Sequence, residues 1–395
     1  MSQLAVRAAL ILAAALALGP ASAAFAAWPG LNGRISVTQD PRSKDVWAFA
    51  RDGTATQLTF TGNNEEQSSW APDGRRIAYK RSDEVFVRDV TTDAPPVRLT
   101  VKAVSSENNT QPGWSPDGAS IVFRTNRANP SQNVADIWIM DADGSNERPL
   151  LVQPGDQRYP ALSPDGTRLA YMSRDDGGTA DLWIANADGT GARLLYDSGF
   201  DDSALAWSPD STKLAFQTQR APGAIDGDIF VLDLVTGAVT QLTSDPPDAP
   251  IHDEGPAWSP DGTMIAFTSE RSDPNGDIWI MRSDGSDPLR LTTDPVLDES
   301  PDWQPIPFSV GAPARWPAQA CGDLSLLPGG IASIATVKAP CRKARRVAER
   351  WIRDNRKVRG FDCTAALHSF DQRLVECQHR GDRKGIAFVW RTPAS

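Results

Sequence analysis

The sequence predicts an all-β fold: a six-bladed β-propeller of four-stranded antiparallel blades, followed by a small disulfide-stapled α+β module. Three observations predict it. A phrase of the form Trp-Ser-Pro-Asp-Gly, two residues, then apolar-small-aromatic recurs along the chain, as in "PAWSPDGTMIAFTSE" at 256–270. The unit around it returns every 44 to 51 residues, the length of a propeller blade. All four cysteines, Cys321, Cys341, Cys363 and Cys377, lie beyond the last repeat.

Each element of the unit has a physical reason. The phrase opens at Trp70 (with Ala71 for Ser), Trp114, Trp207 and Trp258, and once at Leu162 in the Trp place. Ser259-Pro260-Asp261-Gly262 carries turn chemistry throughout: Pro pre-sets φ at the second position, Asp suits the third and Gly tolerates the fourth. Ile265 to Ser269 then has the β-branched and aromatic character of a strand. A third strand begins at an Asp: Asp45, Asp83, Asp136, Asp181, Asp228 and Asp277. Asp/Gly turns such as "DADGSN" (141–146) mostly follow, and a short fourth strand ends in Leu-Thr or a relative of it, as at Leu58-Thr59 and Leu291-Thr292. No helical stretch separates the strands, so the sheets are antiparallel.

Large apolar residues alternate along these strands and leave both faces of a blade apolar, which stacking blades radially would cover. The Trp of each phrase is placed to wedge between blades, where its burial contributes about 1.5–3 kcal/mol or more. Inner strands end at Trp70, Trp114, Leu162, Trp207, Trp258 and Trp303, which makes six. After Trp303 the phrase decays to Gln304-Pro305-Ile306-Pro307, while the chain begins its pattern at Arg34 to Val37 with a second strand. The sixth blade should therefore join one C-terminal strand, residues 299–304, to three N-terminal strands within 33–60.

These W-S-P-D-G-x-x-I-A-F…D-I-W-I-M-D…L-T units resemble the TolB-type propeller repeat over residues 33 to 305. Relatives of that repeat form the propeller of the Gram-negative periplasmic protein TolB, of prolyl-oligopeptidase-type peptidases and of some polysaccharide lyases. The resemblance implies the fold and leaves the function to the site. TolB proper carries an α/β domain ahead of its propeller, and its partner residues are not carried over here.

The flanks set the surroundings. Residues 1–27 hold Arg7, an apolar run from Ala8 to Leu18, Gly19-Pro20 and A-x-A sequences, the pattern of a secretory signal peptide; an uncleaved anchor is the other reading. The propeller is expected over 28–307, a linker over 308–320 and the module over 321–395. Four cysteines in so small an exported unit suggest two disulfides, with three pairings open. Ile331 to Val337, Phe361 to His368, Arg373 to Gln378 and Ile386 to Trp390 read as strands, and Cys341 to Trp351 as a helix. The pattern is similar to small Cys-containing modules of exported actinobacterial proteins. Residues 321–395 carry a net charge of +8 and the remainder −18. A secreted or periplasmic, cell-envelope-associated monomer is expected, with no later membrane span and no nucleic-acid partner.

Catalytic signatures are sparse. A serine peptidase needs a G-x-S-x-G elbow, and "GWSPDG" (113–118) has the wrong spacing. A His-rich metal lyase site is not supported by His252, His368 and His379. Calcium-loop spacing fails because the twelfth position after Asp141 is Val152. One constellation remains: the residues five and four places before each inner-strand Trp position, where the chain enters the tunnel mouth. These are Glu65/Glu66, Asn109/Thr110, Gln157/Arg158, Asp202/Ser203, Asp253/Glu254 and Asp298/Glu299. Glu65, Glu66, Asn109, Gln157, Asp202, Asp253, Glu254, Asp298 and Glu299 among them are the candidate ligand-binding residues, or simply a solvated rim. Asp253, Glu254, Asp298 and Glu299 are the candidate ligands for a Ca²⁺ ion. The favoured reading is a non-catalytic binding or scaffold protein for a peptide, protein or envelope glycan. The alternative is a hydrolase or lyase using Asp253 and Glu254 as general acid and base.

Overall fold

The computed structural model describes residues 30–306 except 41–43, 131–133, 175–177, 220–226 and 245–250, and the backbone of five strands beyond residue 317. The signal segment, the expected helix over 341–351 and most of the expected linker lie outside the described residues.

The chain opens with β1 (Leu31–Asp40), β2 (Asp45–Phe49) and β3 (Ala55–Gln57). Blade 1 is β4 (Glu65–Trp70), β5 (Arg76–Arg81), β6 (Glu84–Asp89) and β7 (Val97–Arg98). Blade 2 is β8 (Asn109–Trp114), β9 (Ser120–Asn129), β10 (Val134–Asp141) and β11 (Arg148–Leu151). Blade 3 is β12 (Asp156–Leu162), β13 (Arg168–Arg174), β14 (Ala180–Asn186) and β15 (Arg193–Tyr196). Blade 4 is β16 (Asp202–Trp207), β17 (Lys213–Gln219), β18 (Gly227–Asp233) and β19 (Val239–Gln241). Blade 5 is β20 (Asp253–Trp258), β21 (Met264–Ser269), β22 (Asp277–Arg282) and β23 (Leu289–Arg290).

Then β24 (Leu297–Ile306) pairs antiparallel with β1, Trp303 opposite Ile35 and Asp298 opposite Gln39. Blade 6 is thus β24-β1-β2-β3, the one-plus-three closure read from the sequence. One expectation shifts by a residue: Asp83 sits in the turn at φ 62°, and Glu84 opens the third strand.

The hairpin between first and second strands is built as its residues suggest. In blade 2 the Gly118 N–H donates to Ser115 O at 2.8 Å, with Gly118 at φ +68°. The Ser115 hydroxyl donates to Asp117 (2.6 Å) and accepts from Ser120 N (2.9 Å). The Leu-Thr endings act as latches. Thr59, Thr100, Thr243 and Thr292 each accept, at 2.9 Å, the N–H of the residue that follows the acid near the start of their blade's third strand, Val46, Val85, Ile229 and Ile278. Two of them also donate to that acid, Thr100 to Glu84 and Thr243 to Asp228.

The core lies between blades. Six hydrophobic clusters each draw residues from two consecutive blades, one cluster per junction. Trp70, Trp114, Trp207, Trp258 and Trp303 are all buried in these junctions. Three of them anchor by the indole N–H to a carbonyl of the preceding blade: Trp114 to Ser69 (3.1 Å), Trp207 to Ala161 (3.0 Å), Trp303 to Ala257 (3.2 Å). Arg76 and Arg168 stack over the next blade's Trp114 and Trp207, at 4.6 and 4.8 Å.

Beyond the ring, β25 (Ala318–Ala320), β26 (Ile331–Val337), β27 (Phe361–Ser369), β28 (Gln372–His379) and β29 (Gly385–Arg391) form a second sheet, ordered β25-β26-β29-β28-β27. This sheet begins at Ala318, inside the stretch expected as linker. Cys363 and Cys377 are register partners on β27 and β28.

Two outcomes follow from this architecture. Trp303→Ala should destabilise the ring by about 3–5 kcal/mol, and a chain ending at residue 296 should lose its cooperative melt altogether, whereas one ending at residue 311 should keep it. For the module, register partners in an antiparallel pair stand about 4.5–5.5 Å apart at Cα, within disulfide reach. Non-reducing peptide mapping of exported protein should therefore recover Cys363 joined to Cys377, which leaves Cys321 for Cys341. Recovery of Cys363 joined to Cys341 would contradict this.

Candidate functional site

The six innermost strands surround a tunnel of about 710 Å³. Each of these strands carries a β-bulge, seen as a register shift against its neighbour, such as that between Glu66 and Ser69. At the bulge one residue per blade takes a left-handed backbone: Gln67, Gln111, Tyr159, Ala204, Gly255 and Ser300, with φ between 45° and 61°. All six line the tunnel. Such bulges re-aim side chains and turn backbone polar groups out of the ladder. Two of the bulge side chains tie consecutive blades together: Gln67 Oε1 accepts from Gln111 N (3.1 Å), and Gln111 Oε1 from Tyr159 N (2.8 Å).

The candidate pairs at the mouth are divided by strand geometry, because adjacent residues of a strand face opposite sides. The first members, Glu65, Asn109, Gln157, Asp202, Asp253 and Asp298, are all buried at blade junctions and do not line the tunnel. Of the second members, Glu66, Ser203, Glu254 and Glu299 line it, whereas Thr110 and Arg158 do not. The tunnel-facing carboxylates therefore sit on three consecutive blades, 5, 6 and 1.

These carboxylates have cationic partners within the chain. Lys44 bridges Glu66 at 3.0 Å and Glu299 at 2.6 Å, and Lys80 meets Glu66 at 2.5 Å. Burial works against the Lys44 ammonium, but its hydrogen bonds to Glu299 and Glu66 outweigh that and raise its pKa. Burial likewise opposes the Glu66 charge, and Lys80 and Lys44 more than offset it, so its pKa is lowered. His252 Nδ1 accepts the Gly227 N–H (3.1 Å), which directs its Nε2 toward Glu254 (3.1 Å). The Glu254 hydrogen bond raises the His252 pKa.

The buried first members are engaged elsewhere. Arg271 pairs with Asp253 at 2.7 Å and Arg81 with Glu65 at 3.4 Å. Asn109 donates toward Glu84 and Glu107, and Gln157 to Pro154 O. Burial pushes the Asp202 and Asp298 carboxyls up to about 7.

The four candidate calcium ligands are thus split. Asp253 and Asp298 lie inside the wall, Glu254 and Glu299 in the tunnel. Among the described residues no group of three or more His, Cys, Asp or Glu is placed to hold a metal ion. The same division separates Asp253 from Glu254, so the two cannot flank one bond as acid and base. Sequence reasoning missed Lys44, Lys80 and Arg271, which lie just ahead of a third strand, on a second strand and just past the end of one. The period-2 alternation of the strands was the available signal for separating the pairs.

Comparison with known proteins agrees with this geometry. Residues 127–307 match the family model described as the TolB beta propeller domain. A 49-residue segment is 47% identical to the Tol-Pal system protein TolB of Anaeromyxobacter dehalogenans (strain 2CP-C), a match that covers 12% of this chain and 11% of that protein. The crystal structure of TolB from Acinetobacter baumannii superposes with a TM-score of 0.58 at 22% identity, covering 69% of this chain and 67% of that one. The putative TolB from Agrobacterium tumefaciens does so with a TM-score of 0.54 at 18% identity, covering 70% and 91%. At these identities the two structures speak for the fold. With its repeat, six-bladed ring and strand-exchange closure, the chain is a TolB-like β-propeller repeat protein.

Proposed function

We propose that the protein is an exported, non-catalytic binding protein of the cell envelope that holds an extended segment of a protein partner in the tunnel mouth. The observation that carries this reading is the mouth itself. Its carboxylates Glu66, Glu299 and Glu254 line an open cavity together with Lys44 and His252, and Lys80 pairs with Glu66 beside it. Such a rim can exchange internal ion pairs for those of a polypeptide. Two further features support it: tunnel-lining positions at which the ladder is interrupted by a bulge, and the likeness to a Tol-Pal system protein. The Arg7-to-Leu18 signal pattern supports export. In this reading Lys44 already engages Glu299, one of the four carboxylates considered for calcium, and a divalent ion there would have to displace it.

Panning a random-peptide display library on the mature protein tests the reading. Binders are expected to compete with one another, and Ser203→Trp, which fills the mouth, is expected to abolish their binding with the melt unchanged. Turnover of an envelope polymer by the wild type, lost in Glu254→Gln, would replace binding by catalysis.

The lysine bridge has its own test. A double-mutant cycle of Lys44→Met and Glu299→Gln should give a coupling of about 0.5–1 kcal/mol, since the pair is partly solvated. A coupling near zero would mean that the mouth is not organised by Lys44.

A further inference from the structure

The six innermost strands give the tunnel a graded lining. At the mouth stand the carboxylates Glu66, Glu254 and Glu299. Just inward of the bulge comes an apolar collar, Pro112, Pro160, Leu205, Pro256 and Pro301, with Ser68 in the sixth place. The next level, immediately before the Trp place, holds Ser69, Gly113, Ala161, Ala206, Ala257 and Asp302. Five blades keep that ring small, and blade 6 puts a carboxylate into it.

Asp302 has one evident task in the ring. Its Oδ2 accepts the Trp70 N–H of blade 1 at 2.7 Å, and the Trp303 N–H also supports the carboxyl. That clamp needs an oxygen acceptor, which the amide oxygen of an Asn would supply equally. It does not call for a charge. The tunnel walls work against one, and burial pushes the carboxyl up to about 7 against the two N–H groups. A cation beside it would reverse that effect and favour the ionised form.

We infer that Asp302 receives one basic side chain, Lys or Arg, of the polypeptide segment held at the mouth. The inference rests on the binding reading above and names what the segment must carry. Depth and lining both fit. Between Glu299 and Asp302, β24 advances three residues while its partner β1 advances two, from Thr38 to Ser36. Asp302 therefore lies about 7 Å inward of the mouth, two strand rises of roughly 3.3 Å.

Lys and Arg carry stems of three or four methylenes that favour apolar surroundings, with the charge at the tip. Such a stem spans the collar against Pro256, Pro301 and Leu205, and delivers its head group to the carboxylate. Ala161, on the blade across the axis, leaves space for that head group, and the charge-assisted hydrogen bond it forms is of the strong kind. The backbone of the segment stays at the mouth, where Glu66, Glu254 and Glu299 attract the same basic residue on its way in.

Random-peptide libraries panned in parallel on the wild-type mature protein and on Asp302→Asn test this. Wild-type binders are expected to share Lys or Arg at one position, and its replacement by norleucine should weaken binding at least tenfold. On Asp302→Asn, which keeps an oxygen for the Trp70 N–H, the same replacement should change affinity less than twofold. Wild-type binders with no shared basic residue, or an equal norleucine loss on both proteins, would overturn the inference and leave peptide binding standing. Should Asp302→Asn fail to fold, Glu299→Gln decides. The norleucine loss persists there if the basic residue reaches past the mouth, and its disappearance contradicts the inference. A further measurement needs no peptide: n-butylammonium chloride, a mimic of the Lys side chain, should raise the wild-type Tm above its value in equimolar sodium chloride. If no peptide binds at all, the binding reading fails and this measurement judges the site alone; equal Tm values in the two salts would then refute it.

Discussion

The rest of the structure depends on one constraint: a blade has two apolar faces and no way to cover them alone. Tyr79, Tyr171, Phe123, Phe216 and Phe267 are each fully buried on second strands, yet the clusters that bury them always include a neighbouring blade. Burial of such side chains is the dominant favourable contribution here. It is realised only when the ring is complete, since an open ring leaves two faces wet. The pairing of β24 with β1 is therefore a condition for the stability of all six blades, and Trp303 in the last junction has the same standing as Trp114 in the second.

Closure also shapes the tunnel. Six innermost strands converging on one axis cannot all stay flat, and each relieves the crowding with a bulge at the same position, three residues before the Trp place. The bulge turns Gln67, Gln111 and Tyr159 toward the tunnel, and the strand alternation ahead of it sends one residue inward and its predecessor into the wall. The same local geometry thus produces two belts. One faces the tunnel with Glu66, Glu254 and Glu299. The other lies inside the junctions with Glu65, Asp253 and Asp298.

The fold was legible because its signals are local and repeated. Ser-Pro-Asp-Gly turns, third-strand acids and Leu-Thr endings each do in space what their chemistry implies, and the incomplete first and last units pointed to β24. The site was half legible. Its acidic residues stand where the inner strands enter the ring, but neighbours such as Asp253 and Glu254 are adjacent on one strand and face opposite sides of it, which a list of acidic positions does not show. Lys44 was invisible because nothing local marks a lysine that bridges two blades far apart in sequence. Glu84 displaced Asp83 for a similar reason: Glu84 is the residue whose carboxylate reaches the Thr100 hydroxyl, at 2.5 Å.

Native-state hydrogen exchange tests the ring account most directly. If no blade is stable without its neighbours, the amides shared by β24 and β1 should exchange with the same free energy as those of β9 and β10 in blade 2, all through global unfolding. Seam amides that exchange through a separate, cheaper opening, with the other blades still protected, would contradict it.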